Sequence, residues 1–460
     1  MKKLGILFLI VLIGSTAIAF GSGLSIPEQG AAAMGLSAAM TARSQDLSSI
    51  FYNPAGIDYV EKNELFLGLT PIRPSHKYEG DNVSAEAKKQ TFIPPQFYIA
   101  HRVNSRTVIG AGLYSPFGLG TDWGTTWAGR YTSTYSEVQT VYFNPTVAVQ
   151  ITKWLSLGAG YSWVYSTAIM ESMVDSGLKR QLLKKDPTTI QNTSYDTKFS
   201  LDGDGGGVNW NAGLLLKPSE RIQFGAAYRS PTNIKYSGQA QFIHQDFRAK
   251  KTMLDSLFAK TLEANMPIKQ DGETTLHLPA SVNAGVLFRF TEKWDASFDV
   301  DYMRWQVYDK LVIDLEKKLP PPGNITKDKD WENSTAFRFG TSYTMNELTV
   351  LRGGVLYDKT PVPDATFDAQ IPDNNRTGFS VGFGRKVGLV NLDFSYMYLK
   401  FSNRDKDNFV GYQDVTGDKV VNAADANLLK TMRGGVPYEV ANGTYKRSAH
   451  LFSVSASMKF

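Results

Sequence analysis

From Leu451 to Phe460 the chain alternates without a break: Phe452, Val454, Ala456, Met458 and Phe460 fall on one face, and Ser453, Ser455, Ser457 and Lys459 on the other. A period of two is a β-strand with one apolar and one polar face. A strand in this position must pair on both sides or leave an open edge, and a sheet that closes on itself has no edge. Two environments suit it. In a soluble sheet the apolar face looks inward; in an outer-membrane barrel it looks out to lipid and the polar face lines a wet interior.

The other end of the chain bears on that choice. Lys2 and Lys3 precede an apolar run from Leu4 to Ala19 that closes on Ala17-Ile18-Ala19. A charged start, a short apolar core and small residues before the cut predict a signal peptide over residues 1–19, removed before Phe20. No later run approaches the roughly eighteen uncharged apolar residues of a spanning helix, so the mature chain is expected to be exported, either soluble or a barrel. The absence of cysteine excludes a disulfide scaffold and thiolate metal sites. Its 22 Tyr, 26 Phe and 8 Trp can supply aromatic girdles at two interfaces. The formal charge of +5 falls by two when Lys2 and Lys3 leave, too little and too dispersed for a nucleic-acid partner.

After Lys62 the alternating segments recur near 63–72, 95–103, 106–115, 138–151, 154–169, 206–217, 221–236, 275–290, 294–314, 333–345, 347–359, 376–387, 389–402 and 445–460. Tight connections at Asn104-Ser105, Thr152-Lys153, 217–221, 291–293, Asn346 and Gly388 alternate with long polar ones. The pattern predicts an all-β fold: a 14-stranded antiparallel transmembrane β-barrel over 63–460, with periplasmic turns and long extracellular loops at 170–205, 237–274 and 403–444. One face of the strand from Trp294 carries Asp295, Asp299 and Asp301, which a dry core would not tolerate. They call for a watery lumen with basic partners, and Arg289, Arg338, Arg352 and Arg376 have the inward parity. Those cations serve either an internal ion-pair network or a ligand carboxylate; Arg352 and Lys359 are the candidates for the second role. The run from Asp202 to Gly207 lacks the Lys-Ser/Thr of a phosphate loop and reads as a flexible start to a strand.

Residues 20–62 show no strand period. Rich in Ala, Gly and Ser and too apolar for a solvated tail, they are expected to pack inside the barrel as a hatch, since fourteen strands otherwise enclose a wide lumen. Asn53 before Pro54 and Ala55 favours a shaped turn there.

Further motifs follow in order: Tyr114-Ser115-Pro116-Phe117-Gly118-Leu119 with Gly129-Arg130-Tyr131, Asn144-Pro145, Tyr228-Arg229-Ser230-Pro231, Leu278-Pro279-Ala280-Ser281-Val282, Arg304-Trp305, Tyr357 to Asp364, and Ile371-Pro372-Asp373. With Asn53-Pro54-Ala55 they make the chain resemble the FadL-type outer-membrane transporters of long-chain fatty acids and hydrocarbons. The resemblance implies a hatch-plugged barrel in the outer membrane of a Gram-negative bacterium, capture of an apolar substrate at extracellular loops, and exit through a side opening into the bilayer. It also implies a monomer surrounded by outer-membrane lipid and lipopolysaccharide, assembled by the barrel assembly machinery, which favours a terminal aromatic such as Phe460. By the same resemblance Asn53, Pro54 and Ala55 belong to the gate. Pro116, Phe117 and Gly118 form either the third-strand kink that makes the side opening or the loop after it.

An acyl chain loses about 0.8 kcal/mol for each methylene moved from apolar surroundings into water, so a water-filled pore would be the wrong device for it. The connection 170–205 carries Met170, Met173, Val174, Leu178, Leu182 and Leu183, and 237–274 carries Met253, Leu254, Leu257, Phe258, Leu262 and Met266, both at helical spacing. Each is expected to be an amphipathic loop helix; Met253, Leu254, Leu257, Phe258 and Leu262 are the candidates for apolar capture, against the alternative that they only pack the loops shut. The competing functions are a general polar-solute porin, which the hatch disfavours, and a lipid hydrolase, for which the sequence has neither a Gly-x-Ser-x-Gly elbow nor a His-Glu-x-x-His pair.

No cofactor is required by this reading, with one possible metal. Asp414, Thr416, Asp418, Asn422 and Asp425 place oxygens at positions 1, 3, 5, 9 and 12 of a loop whose seventh residue, Val420, offers its carbonyl. That is the EF-hand calcium spacing, and the segment resembles dockerin repeats. Thr416 is a weak ligand and Lys419 stands where a turn glycine is expected.

Overall fold

The alternating segments become strands of one closed antiparallel sheet in the computed structural model, which describes residues 23–184, 187–244, 253–317, 325–418 and 420–460. The expected signal peptide lies outside the described residues. Fourteen wall strands follow one another around the cylinder, and the last, Gly443–Lys459, pairs with both the thirteenth (Val390–Phe401) and the first (Asn63–Leu69, continued by Ile72–Glu79). The face assignment of the last strand holds: Ser453 and Ser455 are 1% exposed, whereas Phe452 and Val454 are each 47% exposed on the outside.

Four wall strands break at a proline, while the ninth (Trp294–Met303, then Lys310–Leu315) and the tenth (Ile325–Asp328, then Ser334–Asn346) are interrupted without one. The first breaks at Pro71, the third (Thr107–Tyr114, then Gly118–Asp122) at Pro116, the seventh (Ile222–Arg229, then Thr232–Ile243) at Pro231 and the eighth (Lys269–Leu278, then Ser281–Arg289) at Pro279. Proline has no N–H for the ladder, and at these four positions the strand is interrupted, whereas Pro74 and Pro145 sit within continuous strands.

Two loop expectations need correction. The fifth and sixth strands run on as Leu155–Asp175 and Asp196–Leu216, so Met170, Met173 and Val174 are strand residues, and the connection between them shrinks to 176–195. Asp202 to Gly207 lie in mid-strand and are not a flexible start; glycines carry no side chain to display a period, and Gly205 lets the seventh strand's Lys235 carbonyl approach. The connection 237–274 shortens likewise to 244–268.

Residues 23–60 are packed against the inner wall. The helix Ala31–Gly35 lies on the twelfth to fourteenth strands; the turn Ser49–Tyr52 leads into a 3-10 helix, Pro54–Tyr59, that touches strands four, five and six. Two wall glycines make this seat. A Cβ on Gly158 would overlap the Pro54-Ala55 peptide, and one on Gly213 would overlap the Asn53 side chain. We expect Gly158→Val to leave the closed, heat-modifiable barrel intact and to unseat the hatch, at a cost of about 1–3 kcal/mol. Faster proteolysis within residues 23–60 than in the parent protein checks this; unchanged cleavage counts against it.

Candidate functional site

The hatch is held by polar contacts that the wall strands present inward. Asn53 does three things: its Oδ1 caps the 3-10 helix by accepting the Ala55 N–H, and its Nδ2 donates to the Thr41 carbonyl (2.8 Å) and to the Leu214 carbonyl of the sixth strand (2.9 Å). Pro54 starts that helix with its φ already set. Ala55 is fully buried. The three aspartates of the ninth strand (Trp294–Met303) also find their partners here. Arg43 of the hatch reaches Asp295 at 2.7 Å, the Thr41 N–H donates to Asp299 at 2.7 Å, and Arg338 donates to Asp301 at 2.5 Å. Parity in the sequence identifies Arg338; Arg43 and Thr41 lie in a segment without a period, so no pattern points to them. At the periplasmic end Asp58 closes the seat with Lys217 (2.7 Å) and the Ser156 hydroxyl (2.6 Å).

Above this seat the wall itself is incomplete. Tyr114 pairs with Tyr142, yet after the break Gly118 pairs with Gln139, so the third strand carries one residue more than the fourth over that interval. The second strand leaves the ladder after Gln96 and Pro95, and its place beside the third is taken by the hatch. The Ile26 N–H donates to the Pro116 carbonyl (2.8 Å), the Gly118 N–H to the Leu24 carbonyl (3.0 Å), and the Gln29 side chain to the Ser115 carbonyl (2.9 Å). Pro116 and Phe117 fall in the strand interruption and Gly118 begins the strand that resumes after it, with Phe117 buried against Trp305 and bridged to Ser25.

A cavity of about 250 Å³ occupies this gap. Phe117, Leu399, Phe401 and Leu451 line it from within, while Ile93, 56% exposed, and the exposed Gln139 line it from the outer side. Its cations are Arg376 and Arg447. The two expected carboxylate readers are elsewhere. Arg352 is tied to Asp393 at 2.6 Å near the periplasmic end, and Lys359 lies 3.8 Å from Glu332 at the extracellular side. Neither lines the cavity. Arg352 goes astray because parity fixes a side chain's face but not its height in the barrel. Arg447 shares the parity of Ser453 and Ser455, a signal that could have found it.

The extracellular mouth is closed by loops that interlock through buried charge. Lys329 and Asp368 stand 2.8 Å apart. Burial works to raise the Asp368 carboxyl, but Lys329 and Lys327 outweigh it and hold the group below its usual range. The expected capture helix is present as Met253–Asn265, and its residues divide in two. Phe258, Leu262 and Met266 are buried in the loop core, so they close the loop; Met253 (91% exposed) and Leu257 (59%) face outward. The side chains of Leu254, Leu182 and Leu183 lie outside those described. The other connection forms the helix Ser176–Lys184, with Leu178 buried and Arg180 bonded to Asp255 at 2.8 Å across the two helices.

In the acidic loop, Asp414, Asp418 and Asp425 bring one carboxylate oxygen each to within 4.8 Å of one another. Asp425 also accepts the N–H groups of Val415, Thr416 and Asn422. Burial raises its carboxyl slightly, and these three donors outweigh that and hold it below the ordinary range. Asn422 caps the helix Ala423–Met432, and the Val420 N–H donates to Asp418. Thr416 donates to Asp414 at 3.4 Å. Lys419 lies outside the described residues.

The family model for outer membrane protein transport proteins (OMPP1/FadL/TodX) matches residues 11–460 of the chain. A long-chain fatty acid transport protein of Salmonella typhi is 25% identical over 394 residues, covering 82% of this chain and 85% of its own length. The crystal structure of a Pseudomonas aeruginosa FadL homologue superposes with a TM-score of 0.77 at 18% identity, covering 95% of this chain and all of the other. The Ralstonia pickettii toluene transporter TbuX gives a TM-score of 0.66 at 15% identity over 94% of this chain and 98% of its own.

Because the Asn53 side chain supports two separate carbonyls, Asn53→Ala should lower stability by about 1–3 kcal/mol through buried acceptors left without donors. A depressed thermal midpoint together with reduced uptake is the expected result; reduced uptake at unchanged stability would mean that Asn53 acts on the substrate path and is not an anchor.

Proposed function

Because the chain belongs to the OMPP1/FadL/TodX family of outer membrane transport proteins, we propose that it carries long-chain fatty acids or hydrocarbons inward by loop capture, hatch-gated binding and lateral exit into the bilayer. The chain is a β-barrel of a Gram-negative outer membrane, and its family is one of transporters of fatty acids and hydrocarbons. The observation that carries the finer steps is the cavity at the third-strand gap, with inner-face and outer-face residues in one lining and the hatch bonded across it. An apolar molecule leaving there enters lipid without crossing water, which avoids about 0.8 kcal/mol of exposure per methylene. Entry is assigned to the outward Met253 and Leu257 of the loop helix, whose thioether and branched chain adapt to varied apolar shapes.

The gate is tested by tethering. Ser25 and Phe117 form a bridge pair, so the double variant Ser25→Cys/Phe117→Cys can lock the hatch to the interrupted strand. Uptake of a radiolabelled fatty acid or hydrocarbon should fall at least about tenfold when the cysteines are oxidised and recover on reduction. Full uptake by the oxidised barrel would reject this exit. Capture is tested separately by Met253→Ser/Leu257→Ser, which should weaken uptake with no change in melting because both side chains are exposed.

The acidic loop is proposed as a calcium site on its spacing and on the approach of three carboxylates. Asp414, Thr416, Asp418 and Asp425 would supply side-chain oxygens, Val420 its carbonyl, and Asn422 a contact through water. Titration calorimetry should find binding at millimolar calcium or tighter that Asp418→Ala abolishes; no heat at millimolar calcium rejects the site.

A further inference from the structure

The cavity at the third-strand gap carries more charge than an apolar path needs, and the charges come in pairs. Arg376 gives Nε and Nη2 to Asp358 at 3.0 and 2.8 Å. Arg447 reaches Asp373 at 3.3 Å, with its guanidinium 4.3 Å from the centre of the Phe401 ring. Behind them Arg338 donates to Asp301. Asp373 accepts in addition from the Gly23 N–H and the Thr360 hydroxyl; burial raises its carboxyl above the usual range, and Arg447, the Thr360 hydroxyl and Arg376 work against that rise without cancelling it. One acid remains. Glu28 of the hatch is 1% exposed, and its Oε1 has no hydrogen-bond partner among the described residues.

The three guanidinium groups therefore face four acids when Glu28 is ionised and three when it is protonated. In neither state does the lining, among the described residues, hold a cation without an acid. We infer that this cavity selects uncharged hydrophobic compounds, hydrocarbons and long-chain alcohols, over carboxylate anions of the same chain length; the inference rests on the transport reading above.

A buried carboxylate needs a partner of opposite charge, and here it would have to displace Asp373 or Asp358 from its arginine in a site already rich in acids. An uncharged chain meets no such obstacle. A hydroxyl oxygen could also accept from Arg447 Nε–H, which has no partner among the described residues. Buried Arg229 donates to the Tyr114 hydroxyl (3.0 Å) and the Phe51 carbonyl (2.8 Å) in a pocket that shares Ser25 and Phe117 with this cavity; the half-buried Lys327 is a further cation near an apolar space. It reaches the Thr132 carbonyl at 3.4 Å and the Met170 sulfur at 3.9 Å, over a separate extracellular chamber lined by Leu24, Met170, Leu276 and Leu311.

The test is a competition on the full-length barrel immobilised in detergent. It is equilibrated at mildly alkaline pH with equal amounts of dodecanol and dodecanoate, and the retained ligands are compared with protein-free micelles. The parent barrel should enrich the alcohol roughly tenfold or more. Asp373→Asn, which releases Arg447 from its partner, should bring the ratio toward unity, and Glu28→Gln, a smaller change, should move it the same way. Heat-modifiable migration reports whether each variant is folded. Equal or preferred retention of dodecanoate by the parent barrel overturns the inference, and if Lys327→Met removes that retention, the head group is read in the extracellular chamber. Uptake of both probes by cells with equal retention leaves transport standing and only the selectivity refuted, whereas neither uptake nor retention of either probe refutes both.

Discussion

A backbone in hydrocarbon must satisfy each of its N–H and C=O groups from within the protein, and the rest of this structure follows from that requirement. A closed antiparallel cylinder meets it without edges. The prolines at 71, 116, 231 and 279 each withdraw one donor. At position 116 the loss coincides with an extra residue and with the departure of the second strand, and a stretch of the third strand is left without a wall neighbour. The hatch supplies the missing bonds through Leu24, Ile26 and Gln29. A segment inside the lumen thus completes the wall, and in the proposed gating its movement opens the wall.

The same segment resolves the charge problem of the ninth strand. Asp295, Asp299 and Asp301 would be costly in any dry interior; Arg43, the Thr41 N–H and Arg338 answer them in turn. Two of those three answers come from the hatch. The periplasmic half of the hatch, with Asn53 and Asp58, is consequently fixed by charge and by backbone contact. Its first residues, Leu24 to Gln29, are held by a few backbone and amide bonds beside a cavity.

The wall was legible in the sequence because a period of two survives in each strand whose outward residues are apolar, and the fourteen strands and their order follow from it. It fades where glycines replace side chains, which hid the sixth strand's extension through Asp202 to Gly207; in the fifth strand Ile169, Met170, Met173 and Val174 put apolar residues on both faces, which placed Met170 and Met173 in a loop helix. The site was legible only in part. Asn53, Pro54 and the stretch Pro116 to Gly118 declare themselves because proline and asparagine constrain backbone locally. Arg352 and Lys359 mislead because parity says which side chains face inward but not how far along the axis they lie, or which acid across the barrel they meet. Helical spacing likewise groups Phe258 and Leu262 with Leu257, although only the last faces water.

Magnitudes decide whether a ligand could work such a gate. Three hydrogen bonds join the hatch to the interrupted strand, each with a net value of about 0.5–1.5 kcal/mol, so their release costs on the order of 3 kcal/mol. Transfer of about four methylenes from water to an apolar lining is comparable, at roughly 0.8 kcal/mol each. A ligand shifts the gate only by its difference in affinity for the two states. Ile26 lines the cavity, so on the proposed route a long apolar molecule would displace it and gain contact in the opened gap that it lacks while the hatch is seated. On the proposed route chain length is then the variable that couples binding to opening: a short apolar molecule would fill the cavity without moving Ile26, and one long enough to reach the outer lining would compete with the hatch for the edge of the third strand.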